Sequence, residues 1–305
     1  MNEPIENILK QVSQIILGKD EIIKLALTAL LAKGHILLED VPGVGKTTFA
    51  LTLAKVLGLD YQRVQFTSDM LPADILGVSI FNQNAHKFEF HPGPIFSNIV
   101  LADEVNRATP KAQSALLEAM EEGQVTLDGE TRALPDPFFV IATQNPTDQI
   151  GTFPLPESQL ERFLMCLYMG YPDSNAERAL LKGEDRRHLL KSVEPAVTHD
   201  ELLQLQAQVG QIHASDALLD YVQNLIHFTR NQPEFLFGLS PRSGLALLRA
   251  AKSWAFIHGR KEVLPEDVQS VLPAVTRHRL FASSAGHASN IENLPQFLLS
   301  EVAVP

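Results

Sequence analysis

The amino-acid sequence predicts an α/β fold, with a central parallel β-sheet between helices, followed by a smaller all-α domain. Three observations predict it. Apolar runs of strand length (Ile36-Leu37-Leu38, Ile99–Ala102 and Phe138–Thr143) alternate with helical stretches in the first part of the chain. A glycine-rich turn, Val41-Pro42-Gly43-Val44-Gly45-Lys46-Thr47-Thr48, joins the first of those runs to an amphipathic stretch, Thr48–Leu57. Beyond Tyr171-Pro172-Asp173 every periodic stretch is helical. The expected division is an α/β domain over 1–171 and an α-helical domain over 172–305.

A length of 305 residues suits two domains of ordinary size. Apolar residues make up 45% and charged residues 20%, which fits a globular protein with a sizeable core. No apolar run reaches the roughly eighteen residues of a membrane span, and Met1-Asn2-Glu3-Pro4 lacks the start of a secretory signal, so a cytoplasmic protein is expected. The one cysteine, Cys166, excludes an internal disulfide and sits in the apolar run Phe163–Tyr168, as a buried structural thiol would. A net charge of −11 argues against a broad nucleic-acid surface.

In chain order, Ile5–Leu17 carries apolar residues on one helical face and stops at Gly18. A second helix, Asp20–Ala32, leads through Gly34 into the strand Ile36–Leu38. Phe49, Leu53 and Val56 line one face of the helix after the glycine turn, and Tyr61–Phe66 reads as the next strand. Leu71–Gly77 reads as a loop, and Val78–His91 as a hairpin with residues 83–86 at its tip. His86 and His91 have no companion ligands in the sequence and read as solvated loop residues. After the strand ending at Asp103-Glu104 comes a helix with Ala112, Leu116 and Met120 on one face, stopped by Gly123. Asp128-Gly129 between Gln124–Leu127 and Glu130–Ala133 marks a tight hairpin. Phe163–Met169 is a further strand. In the helical part, Ser174–Glu177 and Thr198–Glu201 read as capping boxes, Leu218–Arg230 is amphipathic, and Ser240-Pro241 and Pro265 open helices.

The candidate chemistry follows from this layout. In a strand–turn–helix context, Gly43 and Gly45 let successive backbone N–H groups point inward at a phosphate, and the positive helix end adds to that field. Lys46 would reach the β- and γ-phosphates and the Thr47 hydroxyl would ligate magnesium. The strict spacing G-x-x-x-x-G-K-[ST] fails at Asp40, where it wants glycine. Two carboxylates ending a buried strand need a reason to be there. Beside a phosphate loop, Asp103 as a metal ligand and Glu104 as the residue polarising an attacking water supply it. Gln144-Asn145-Pro146 ends the strand Phe138–Thr143, where parallel sheets place ligands. Asn145 reads either as orienting water or as a turn-forming Asn-Pro.

These residues resemble the MoxR family of AAA+ ATPases over nearly the whole chain. The most specific stretches are Leu38–Thr47, Asp103-Glu104-Val105-Asn106-Arg107-Ala108, Ala142-Thr143-Gln144-Asn145-Pro146 and Leu155–Phe163. The resemblance implies an AAA+ P-loop domain with a helical lid, ATP and magnesium as cofactors, and a ring oligomer, a hexamer. It also implies a Walker A motif at Pro42, Gly43, Val44, Gly45, Lys46, Thr47 and Thr48, and a Walker B pair at Asp103 and Glu104. Asn145 matches sensor 1, Arg162 an arginine finger entering the neighbour's site, and Arg242 sensor 2 in the lid. Segments 78–91 and 124–133 resemble the clade's helix-2 insert and pre-sensor hairpin. Family members often carry a residue other than glycine at the place of Asp40, which leaves its effect on nucleotide affinity open. From the residues alone, Arg162 and Arg242 read as surface or interface ion pairs, and Arg107 as a carboxylate's partner.

The implied activity is ATP hydrolysis by a chaperone-like remodeller of protein complexes, with client proteins or von Willebrand A domain proteins as partners. A magnesium-chelatase-like motor subunit, a nucleic-acid remodeller and a nucleotide-gated scaffold with little turnover are the alternatives.

Overall fold

The computed structural model describes residues 3–41, 43–144, 151–182, 186–283 and 293–304. Helices α1 (Glu3–Ile15) and α2 (Asp20–Leu31) lead into β1 (Ile36–Glu39), α3 (Lys46–Val56), β2 (Tyr61–Gln65) and the short α4 (Pro72–Leu76). A hairpin, β3 (Gly77–Asn82) and β4 (Lys87–Pro92), precedes β5 (Ile99–Asp103), a 3-10 turn at Val105–Arg107, and α5 (Pro110–Glu122). A second hairpin, β6 (Gln124–Leu127) and β7 (Glu130–Ala133), is followed by β8 (Phe139–Gln144), α6 (Glu157–Leu160) and β9 (Met165–Leu167). The remaining elements are helices: α7 (Ser174–Leu181), α8 (Arg186–Lys191), α9 (His199–Gly210), α10 (Asp216–Asn231), α11 (Pro241–Ile257), α12 (Pro265–Thr276) and α13 (Leu294–Glu301).

Five strands form one parallel sheet in the order β2-β5-β8-β1-β9. Parallel strands need crossovers, so both faces are covered and the inner strands β1, β5 and β8 are apolar up to their carboxyl ends, while the edge strand β2 is largely polar. Alternation along each strand assigns the two faces. Ile36, Leu38, Ile99, Leu101, Ile141 and Met165 face one core with α1, α2, α3 and the later helices. Leu37, Val100, Ala102, Val140, Ala142 and Cys166 face a second core with α5. Cys166 is buried there, and burial pushes its thiol pKa well up, so the thiol is inert.

The all-helical part shares the first core and grips the amino end of the sheet. Gln206 donates to Leu30 O (2.8 Å) and Ser253 to Thr28 O (2.8 Å). Arg279, 7% exposed, donates to Phe163 O (2.6 Å) and Leu164 O (3.1 Å), just ahead of β9. Its burial pushes its pKa down to about 10, against the opposing pull of Glu161.

Two local expectations need correction. The cap of α7 is Asp173, whose Oδ1 accepts from Asn175 N (2.9 Å) and Ala176 N (2.8 Å), so Ser174 is the first helical residue and Ser174–Glu177 is no capping box. Leu71–Gly77 contains helix α4, opened by Pro72 and fastened by Asp74 accepting from Leu71 N (2.8 Å); one turn is too short to show periodicity. Among the described residues no helix is long and apolar enough to cross a membrane.

Candidate active site

β1 delivers the chain to the glycine turn at the carboxyl end of the sheet. Gly43 (φ 87°) and Gly45 (φ 96°) take left-handed backbone that a side chain would oppose, and space for a Cβ is open at both. Gly45 caps α3 without any side-chain bond, which leaves the first N–H groups of that helix and its positive end for an anion. Lys46 is buried and donates to Asp40 O (2.8 Å). Burial lowers its pKa, while Asp40, Asp103 and Glu104 favour its charge. Thr47 is half-buried and Thr48 exposed in the first turn of α3. Pro42 lies outside the described residues.

Asp40 is 2% exposed, and each of its oxygens is taken by a backbone amide: Oδ1 by Val41 (2.8 Å) and Oδ2 by Gly170 (2.6 Å). Its charge is therefore held by the backbone, and it ties the glycine turn to the segment after β9. Beside that tie, Lys19 donates to Tyr171 O (2.7 Å), and a Cβ on Gly18 would meet Asp173 Oδ2 at 2.8 Å. The segments 16–19 and 170–173 thus meet at the mouth of the turn.

β5, one strand beyond β8, brings in the two acids. Asp103 Oδ1 accepts from Thr143 Oγ1 (2.6 Å), and Oδ2 accepts the fork of Arg63, Nη2 at 2.6 Å and Nε at 3.2 Å. Glu104 sits in left-handed backbone (φ 58°), a conformation that costs about 1–2 kcal/mol for a residue with a side chain. Thr143 Oγ1 accepts from Glu104 N (2.8 Å) and Arg107 N bonds Glu104 O (2.9 Å), so the strain is locked in. The Glu104 carboxylate accepts from Gln65 Nε2 (2.9 Å) and pairs with Arg107 Nε (2.9 Å). Gln144, at the end of β8, donates to Glu39 at the end of β1. Asn145 lies outside the described residues. The open glycine cradle fits a phosphate chain, and the hard oxygens of Thr47 and Asp103 are of the kind that would hold magnesium, the Asp103 oxygens also accepting from Arg63 and Thr143. Among the described residues no group of three His, Cys, Asp or Glu forms another metal cluster.

Arg162 and Arg242 stand elsewhere. Arg162 precedes β9, which runs parallel to β1 with Met165 opposite Ile36, so it lies at the amino end of the sheet. The four residues of β1, roughly 13 Å, separate that level from the glycine turn. Arg162 donates to Leu117 O (2.7 Å) and pairs with Glu121 Oε2 (3.1 Å); Arg242 pairs with Glu121 Oε1 (2.8 Å). Both line a cleft of about 150 Å3 with Lys33, His35, Glu121 and Arg249. The structure brings together Gly43, Gly45, Lys46, Thr47, Asp103 and Glu104 at one end and Arg162 with Arg242 at the other.

A family model for the ATPase family associated with various cellular activities (AAA) matches residues 35–165, and one for the AAA lid domain matches residues 227–296. The chaperone MoxR1 of Mycobacterium tuberculosis is 40% identical over 98% of this chain and 80% of its own. This chain belongs to the MoxR family of AAA+ ATPases. Within that breadth of similarity, the uncharacterized protein YeaC of Bacillus subtilis is 47% identical over 97% of this chain and 93% of its own. A crystal structure of a candidate ATPase from Cytophaga hutchinsonii superposes with a TM-score of 0.89 at 36% identity, covering 99% of this chain and 95% of that one. The MoxR fold accounts for the parallel sheet and the helical lid together.

Proposed function

We propose that this MoxR-family chain is a magnesium-dependent ATPase that works as a ring, a hexamer, and remodels protein complexes in the cytoplasm. The observation that carries this reading is the separation of the two sets of residues. The phosphate cradle and acids sit at the carboxyl end of the sheet, while Arg162 and Arg242 sit at the amino end, beyond reach of their own cradle. Completing a site then takes two subunits. Lys46 and the amides of Gly43, Val44 and Gly45, with Pro42 and Thr48 beside them, bind the phosphates. Thr47 and Asp103 hold magnesium, which supplies charge neutralisation on the phosphate oxygens when bound. Glu104 polarises the attacking water and Asn145 orients it. Arg162 and Arg242 of the next subunit stabilise the charge that develops on the transferred group.

The division into 1–171 and 172–305 belongs to this reading. So do Ile16 and Leu17, just before Gly18, as the walls of an adenine pocket, the roles of the two hairpins as helix-2 insert and pre-sensor hairpin, and a client or von Willebrand A domain partner. A nucleotide-gated scaffold is the second reading. It is favoured by the engagement of both acids, Asp103 with Arg63 and Glu104 with Gln65 and Arg107.

The deciding experiment is ATP turnover per subunit against protein concentration, wild type beside Arg162→Ala. Turnover that rises with concentration and collapses in the variant is expected. A flat rate that ignores Arg162 removes the shared site, and the ring with it. Glu104→Gln is expected to retain nucleotide and lose turnover by a factor of a hundred or more, on the order set by loss of a positioned base. An undiminished rate refutes its role.

A further inference from the structure

Glu121 is the last residue but one of α5, a helix that begins three residues after Arg107 and runs from the acids to the opposite end of the sheet. Its carboxylate divides its two oxygens between two arginines of different elements: Oε2 to Arg162 ahead of β9, and Oε1 to Arg242 in the first turn of α11. The neighbouring contacts fix both partners to the same block. Glu161 Oε1 accepts from Ser240 Oγ (2.7 Å) and Ser243 Oγ (3.2 Å), and Arg279 donates to the carbonyls of Glu161 (3.3 Å) and Phe163 (2.6 Å).

Two guanidinium groups in one cleft repel unless an anion lies between them. Partly exposed ion pairs of this kind contribute about 1 kcal/mol or less each to stability, and the buried bonds of Arg279, Gln206 and Ser253 already hold the lid in place. Arg162 is also held by Leu117 O (2.7 Å), so what Glu121 adds is a fixed spacing between two partly exposed cations at the amino end of the sheet.

We propose that Glu121 is a positioning residue that holds Arg162 and Arg242 as a preset pair for the phosphates bound by a neighbouring subunit. The proposal rests on the shared-site reading above. Glu121 touches no phosphate. Without it, the two guanidinium groups spread apart and meet the neighbour's nucleotide singly.

The test is subunit mixing. Glu121→Ala and Glu121→Gln are expected to keep nucleotide binding and the unfolding midpoint of the wild type, and to lower kcat about ten- to a hundredfold, the scale of a misplaced catalytic group, with little change in KM. Glu121→Gln keeps the side-chain volume and serves if Glu121→Ala fails to fold. Each variant is then mixed with Glu104→Gln, which is inactive but keeps its arginines. Activity is expected to return in the mixture, because a Glu121→Ala subunit holds nucleotide beside an intact Glu121–Arg162–Arg242 set from its neighbour. Arg162→Ala mixed with Glu104→Gln is the control, and sedimentation of every mixture reports assembly independently of turnover. Wild-type kcat in both Glu121 variants overturns the proposal. So does a control that recovers while the Glu121 mixtures do not, which would place Glu121's action in its own subunit. If neither mixture recovers although sedimentation shows mixed assemblies, the shared-site reading fails and the proposal falls with it.

Discussion

His35 enters the amino end of β1 as a neutral imidazole. Its Nδ1 accepts from Val140 N (3.0 Å) and its Nε2 donates to Met120 O (3.1 Å), which fixes the tautomer. Burial pushes its pKa from 6.5 down to about 4, and His278 is pushed down in the same way. Between those two values the unfolded chain takes up a proton that the folded chain refuses, so stability is full above pH 6.5 and is lost as pH falls toward 4. For His35 alone the loss approaches about 3 kcal/mol at the low end. The unfolding midpoint is expected to fall steeply from pH 7 to pH 4.5 in the wild type and less steeply in His35→Gln; equal slopes would refute the assignment. At this scale the sequence carried only part of the site. Lys46, Thr47, Asp103 and Glu104 were legible because local spacing places them. Arg63, Gln65, Thr143 and Glu121 were not, because each acts through strand register or a tertiary contact. Gln65 meets Glu104 only because β2 pairs with β5, Gln65 opposite Asp103.

Among the elements, the two hairpins form a linked pair. Ser79 Oγ on β3 donates to Asp128 Oδ2 at the tip of the second hairpin (2.6 Å), and Arg132 of β7 lies over the Phe90 ring of β4 at 4.1 Å. The first hairpin leaves Val78, Ile80, Phe81 and Phe88 exposed, Phe88 by 70%, with Phe81 and Phe88 edge to face at 5.3 Å. Under the proposed function, an exposed apolar cluster of that kind would be where the hairpin meets a client polypeptide. Phe81→Ser with Phe88→Ser is expected to preserve nucleotide binding and the unfolding midpoint. It should remove any stimulation of turnover by a permanently unfolded polypeptide, and stimulation that survives the change assigns client contact elsewhere. Both hairpins were legible in the sequence, since alternation and Asp128-Gly129 are local signals. Helices α4 and α6, of five and four residues, were not, since neither is long enough to repeat a face. The cap of α7 was misplaced by one residue because Asp173 and Ser174 are both good caps, and only Asp173 makes the bonds.

At the scale of the whole molecule, the α/β domain and helical lid were legible from the switch between alternating and purely helical patterns. Which end of the sheet the lid grips was not, because that depends on Gln206, Ser253 and Arg279 meeting backbone carbonyls far away in sequence. That placement has a consequence for assembly. A protein with its cradle at one end of a sheet and its arginine pair at the other has polarity, and under the proposed shared site copies of it would join head to tail through unlike surfaces. Any open file of such copies ends in a cradle that no arginine reaches, whatever its length. Closure alone removes that idle terminus, so the last subunit to join would complete two junctions at once.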